Sequence, residues 1–253
     1  MPKSDWLTVA AIGLLAMCLV TFDHEVLGHG SACLVLHGRI LALSSSIFRC
    51  SQRSGLIDAA GPVTNVFCGL VALAARAVVP QRFVKLSLFL ALVTAFSFFW
   101  EGGYLIHAMH QRDGDLYFFA RWWLGSVTVW QRWVGAALGA ALYLLSVRLT
   151  ARALSEFWPD AKQARSMARV VWLCATMGTM LAAFDYSGGM PGDLRGAVLE
   201  IGVASFPLLF IPLHGRQSIA SHPTCAITRS YPVIVLALAT YAVFLVTLGH
   251  GLT

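Results

Sequence analysis

Charge is what this chain has least of. Of its 253 residues, 12% are Asp, Glu, Lys or Arg and 58% are hydrophobic, with a mean hydropathy of +0.71. Soluble domains usually carry about 25% charged residues, so a water-soluble globule is excluded. The apolar runs lack the alternation of polar and apolar residues that a lipid-spanning barrel needs, which excludes strands as the spanning elements. Internal repeats and low-complexity tracts are missing, so a solenoid is excluded too. The six cysteines include no Cys-x-x-Cys pair. Four of them lie inside apolar runs, so the expectation is small buried thiols, with neither a zinc knuckle nor disulfides. No small-residue cleavage site precedes the polar cluster at Asp23, so the first apolar run reads as a retained helix and not as a signal peptide.

What remains is an all-α, polytopic transmembrane bundle of six or seven spans, each about 20 residues long or more, with a short extended segment after the first helix. The first helix is expected from about Trp6 through a polar cluster to Leu36, where His37-Gly38-Arg39 stops it. From Ile40 to Ser54 the composition suits a short extended or hairpin segment at the membrane surface. Further spans are expected near Leu56–Val79, Phe83–Trp100, Val134–Val147, Val170–Phe184, Ala197–Leu213 and Val233–Leu248. The aromatics from Trp122 to Trp133 suit an interfacial belt, and the Arg148–Arg169 connection is the most polar stretch. In a seven-span arrangement, eleven of the 18 Lys and Arg residues fall on the amino-terminal side. That bias favours an integral, multi-pass protein of the cytoplasmic (inner) membrane with its amino terminus in the cytoplasm. The net charge of +6 fits loops that meet anionic lipid, and nucleic acid is not an expected partner.

Within this apolar background one stretch stands out: Asp23-His24-Glu25-Val26-Leu27-Gly28-His29-Gly30. Ionisable groups at membrane depth are costly, so a functional role is the default, and helix capping is the bland alternative. In a helical His-Glu-x-x-His, two imidazoles share a face and the Glu lies beside the activated water as general base. Here the histidines are five apart, which in a regular α-helix turns them about 140° from each other. Either a π-bulge realigns His24 and His29, or Glu25 and His29, four apart, are the paired ligands. A hydrolytic zinc site takes three protein ligands and a water, so another ligand must come from elsewhere. Gln111-Arg112-Asp113-Gly114-Asp115 can supply it. Asp115 is preferred because Gly114 frees the backbone just before it, with Asp113 as the alternative.

His24-Glu25-Val26-Leu27-Gly28-His29-Gly30, followed by Ala59-Ala60-Gly61-Pro62-Val63-Thr64-Asn65, resembles the site-2 protease family of intramembrane zinc metallopeptidases. The resemblance covers about residues 6–120. It implies that His24 and His29 bind zinc with an Asp, that Glu25 activates the water, and that Asn65 helps to hold the substrate or its oxyanion. Residues 1–120 are then a metal-binding membrane core and 121–253 additional transmembrane helices. The implied activity is hydrolysis of a peptide bond in or near a membrane helix, with a membrane-protein substrate or partner helix. The competing readings are a non-proteolytic membrane subunit or pseudoenzyme that keeps the metal site and, less favoured, a membrane di-iron hydroxylase. The hydroxylase is disfavoured because no adjacent His-His pair occurs and His37, His214, His222 and His250 are scattered. Glu101, His107 and His110 are candidates for supporting a zinc ligand.

Overall fold

The computed structural model describes residues 4–80, 82–158, 160–188, 190–211 and 226–252. Six helices among them are long and apolar enough to cross a membrane: Trp6–Val35, Gly55–Val78, Val84–Gln111, Val129–Phe157, Ala161–Asp185 and Tyr231–Gly249. The protein is a multi-pass helical bundle, as the composition requires.

The first span starts at α1 (Trp6–Phe22), capped by Asp5, whose carboxylate accepts from the Thr8 amide at 2.9 Å. Its sequence is apolar on every face, which suits a helix surrounded by protein. Accordingly it is walled by α4 (Val84–Gln111), α7 (Ala161–Asp185) and α9 (Tyr231–Phe244). Glycines bring the helices together. Gly13 meets Val171, and Gly102 of α4 meets the backbone of Tyr143 in α6 (Val129–Phe157) so closely that a Cβ would stand 2.8 Å from the Tyr143 nitrogen. Small residues at such crossings replace the hydrophobic drive that lipid removes.

After α1 the helix continues in π register over Asp23–Gly30 and closes with α2 (Ser31–Val35). The expected surface hairpin follows as β1 (Ile40–Leu43) and β2 (Phe48–Cys50), antiparallel, and then comes α3 (Gly55–Val78). Contrary to the expectation of free thiols throughout, Cys33 and Cys50 form a disulfide that ties α2 to β2. The cysteine spacing concealed it because the pair is 17 residues apart and meets only when the hairpin folds back over the helix end. Cys18, Cys68 and Cys174 are free.

Several span boundaries also differ from expectation: the helices expected at Val134–Val147 and Val170–Phe184 extend to Val129–Phe157 and Ala161–Asp185. The third span runs on through the polar cluster to Gln111, because Glu101 and its neighbours have partners inside the bundle. The region expected as a span at Ala197–Leu213 is broken into α8 (Met190–Ala197), a π turn (Val198–Val203) and a 3₁₀ turn (Phe206–Leu209). Pro207 lacks the N–H that a continuous helix would need there. Residues 212 and 213 of that expected span, with Lys3, His214, Arg216, His222 and Cys225, lie outside the described residues. The polar Arg148–Arg169 stretch is the end of α6 and the start of α7.

The two ends of the bundle are distinct. At one, Ser4 accepts from Trp158 Nε1 and the Ile227 amide, and Asp5 pairs with Arg229 at 2.9 Å. At the other, the hairpin residue Leu43 bridges Leu252 and Ser187 bonds the His250 carbonyl. The π segment emerges at the hairpin end.

Candidate metal centre

The π register resolves the five-residue spacing. At its close the Ser31 amide reaches the Val26 carbonyl, five residues back, so residues five apart come onto one face. His24 and His29 therefore point at each other, with their Nε2 atoms 3.2 Å apart and both rings buried.

Each ring is held from its other nitrogen. His24 Nδ1 lies 2.9 Å from Glu101 Oε1, and His29 Nδ1 lies 2.7 Å from the Ile57 carbonyl. Both partners are acceptors, so each Nδ1 donates, and in the neutral imidazoles each Nε2 then presents a lone pair to the other. Two confronted lone pairs in a buried space call for a cation between them. The Ile57 carbonyl lies one residue before that of Asp58, which loses its own helical partner because Pro62 has no N–H.

The third group is Asp115, the first residue of α5 (Asp115–Leu124). Its Oδ2 is 3.6 Å from His24 Nε2 and 3.4 Å from His29 Nε2. Gly114 has φ 91°, a left-handed conformation, as expected of the residue that turns the chain into the ligand. The Asp115 amide donates to the Tyr104 hydroxyl at 3.3 Å.

The three edges, 3.2, 3.4 and 3.6 Å, match a tetrahedral ligand face. Bonds of about 2.0 to 2.1 Å from nitrogen and oxygen give ligand separations of roughly 3.3 Å. His24, His29 and Asp115 thus form a buried group that can hold a metal ion. Asp113 is not part of it; its side chain is exposed and accepts from the Gly114 amide. Glu25 is buried between the two histidines in sequence, near enough for its charge to act on both rings.

Asn65 is fully buried, and its amide Nδ2 donates to Glu101 Oε1 at 2.7 Å. His107 and His110 line a cavity of about 490 Å³ whose wall includes Trp100 and Tyr104. Sequence reasoning missed the packing groups of the centre. Trp100 stacks on His24 with ring centroids 4.4 Å apart, and Phe48 of the hairpin stacks on His29 at 5.3 Å. Gly61 belongs here as well: a Cβ on it would lie 2.3 Å from His29 Nε2. The Gly61-Pro62 pair in the second span was a signal for this close approach, but nothing in the sequence says which side chain fills the space.

Comparison with known protein families, curated proteins and solved structures finds no match to this chain.

Proposed function

We propose that the chain is an intramembrane zinc metallopeptidase that hydrolyses a peptide bond in or near a membrane helix. The observation that carries the reading is the His24-His29-Asp115 triangle with edges of a tetrahedral face, buried beside Glu25. Two imidazoles and one carboxylate form a ligand set suited to zinc, and three protein ligands leave a fourth position open for chemistry. The resemblance of His24–Gly30 and Ala59–Asn65 to the site-2 protease family points the same way.

In this reading His24, His29 and Asp115 would hold a zinc ion, which when bound would supply Lewis acidity toward a water. Glu25 would be the general base, holding a proton on its carboxylate and returning it to the amide nitrogen of the leaving product. The substrate helix must unwind locally, because an intact helix keeps its carbonyls in its own hydrogen bonds.

The protein lies in the cytoplasmic membrane with its amino terminus in the cytoplasm. The excess of Lys and Arg at the amino-terminal end supports this, and the Cys33–Cys50 disulfide at the opposite end supports it independently, since disulfides persist on oxidising sides of membranes.

The test is metal content together with cleavage. Purified wild type is expected to carry about one zinc per chain and His29→Ala none. Glu25→Gln is expected to keep the zinc and lose at least about 10² to 10⁴ in the rate of cleavage of a reconstituted membrane-helix substrate. Loss of zinc from Glu25→Gln would make Glu25 a ligand, and undiminished cleavage in that variant would remove it as the base.

A further inference from the structure

Glu101 is the one acidic residue buried in the long helix α4, with 2% of its surface exposed. A single oxygen, Oε1, receives two donors from two other elements: His24 Nδ1 of the π segment at 2.9 Å and Asn65 Nδ2 of α3 at 2.7 Å. Its other oxygen and the Asn65 Oδ1 are buried without a hydrogen-bond partner among the described residues. A pairing made only to satisfy polar groups would spread its donors over both carboxylate oxygens. Here both converge on the oxygen that faces His24, and Trp100, one residue earlier on the same helix, clamps the His24 ring from its face.

We propose that Glu101 is a positioning residue for the metal ligand His24, and that Asn65 acts through Glu101 by fixing the carboxylate's orientation. The carboxylate accepts a hydrogen bond from the Nδ1–H of His24, which leaves the Nε2 lone pair directed at the ion and raises the basicity of the ring. Asn65 donates to the same oxygen and so restrains the carboxylate from rotating away. His29 has only a backbone carbonyl in the equivalent place. The two histidines are thus unequal, with His24 the more strongly donating ligand. The inference rests on metal binding at His24, His29 and Asp115, and not on peptidase activity.

The experiment is Co²⁺ titration of the full-length chain in detergent, read by the visible d–d absorption of the bound ion. The variants are Glu101→Gln, Glu101→Ala, Asn65→Ala and the Glu101→Ala/Asn65→Ala double variant. Wild type is expected to bind one Co²⁺ with tetrahedral bands. Glu101→Ala should weaken binding by about 10- to 100-fold and shift the bands. Glu101→Gln keeps the size and an oxygen that can accept both hydrogen bonds, so it should fold as wild type does. It should still shift the bands, because an amide oxygen polarises the imidazole less than a carboxylate. Asn65→Ala should cost less than Glu101→Ala and add nothing to it in the double variant. If wild type binds Co²⁺ and the affinity and spectrum of Glu101→Gln are unchanged, the positioning role is wrong. Independent, additive losses would remove Asn65 from it. Absence of Co²⁺ binding by wild type would overturn the metal centre itself, and this inference with it.

Discussion

At the scale of single residues, the centre depends as much on a missing side chain as on the ligands. Gly61 has no Cβ, and His29 occupies the space where one would be, 2.3 Å from its Nε2. Gly28 plays the matching part on the other element, since a Cβ there would meet the Gly61 Cα at 2.5 Å. The π segment and α3 therefore touch backbone to backbone. Gly61→Ala is expected to displace the His29 ring and abolish stoichiometric zinc binding while the helical content of the chain stays the same. Metal analysis beside circular dichroism checks it, and a fully loaded Gly61→Ala would show that the contact yields without disturbing the ligand. His24, His29 and the Asp113/Asp115 pair were legible in the sequence as candidate ligands because ionisable groups are scarce in an apolar chain. Trp100, Phe48 and the Ile57 carbonyl were not, since aromatic and backbone groups of this kind occur throughout such a sequence.

At the scale of elements, the π segment amounts to one residue inserted into an α-helix, with the phase of both flanks kept. Leu27 is 46% exposed and supplies no ligand. Deleting it should return the helix to α register and leave the two histidines four apart on one face, with zinc retained at about one per chain. Inserting an alanine at the same point should lose the metal. If the deletion variant were metal-free, the π register would be required for more than alignment. The hairpin is the second element that reaches the site, because Phe48 stacks on His29 and the Cys33–Cys50 disulfide anchors the hairpin to α2. Closing a loop of this length stabilises a fold by about 3 kcal/mol. Replacing Cys33 and Cys50 by Ser should lower the melting temperature of the detergent-solubilised chain and loosen its zinc. Melting curves of wild type with and without reductant should differ in the same direction, and coincident curves would count against a supporting role for the hairpin.

At the scale of the whole molecule, the proposed orientation rests on two independent features, the Lys and Arg distribution and the disulfide. Ser126, exposed between α5 and α6 at the metal-centre end, and Lys162, exposed at the start of α7, lie at opposite ends of the bundle. In intact cells a membrane-impermeant maleimide should label Ser126→Cys and spare Lys162→Cys, and the reverse pattern would place the metal centre at the cytoplasmic end. The helical, membrane-spanning class followed from the sequence alone, because lipid leaves a continuously apolar segment no alternative to a helix. So did the presence of a polar site near residue 24, since charge at membrane depth needs a reason. The spacing of the histidines posed the geometric problem, and only the tertiary structure chose between its two solutions. It did so because the π register is stabilised by contacts from α3, α4 and the hairpin that are distant in sequence. The choice of Asp115 over Asp113 was likewise tertiary. Gly114 permits either arrangement of the chain, and it is the packing of α5 against the start of α3, where Trp122 covers Gly55, that brings Asp115 to the histidines. The disulfide and the Glu101–Asn65 pair were decided in the same way, by elements that meet only after the helices have packed.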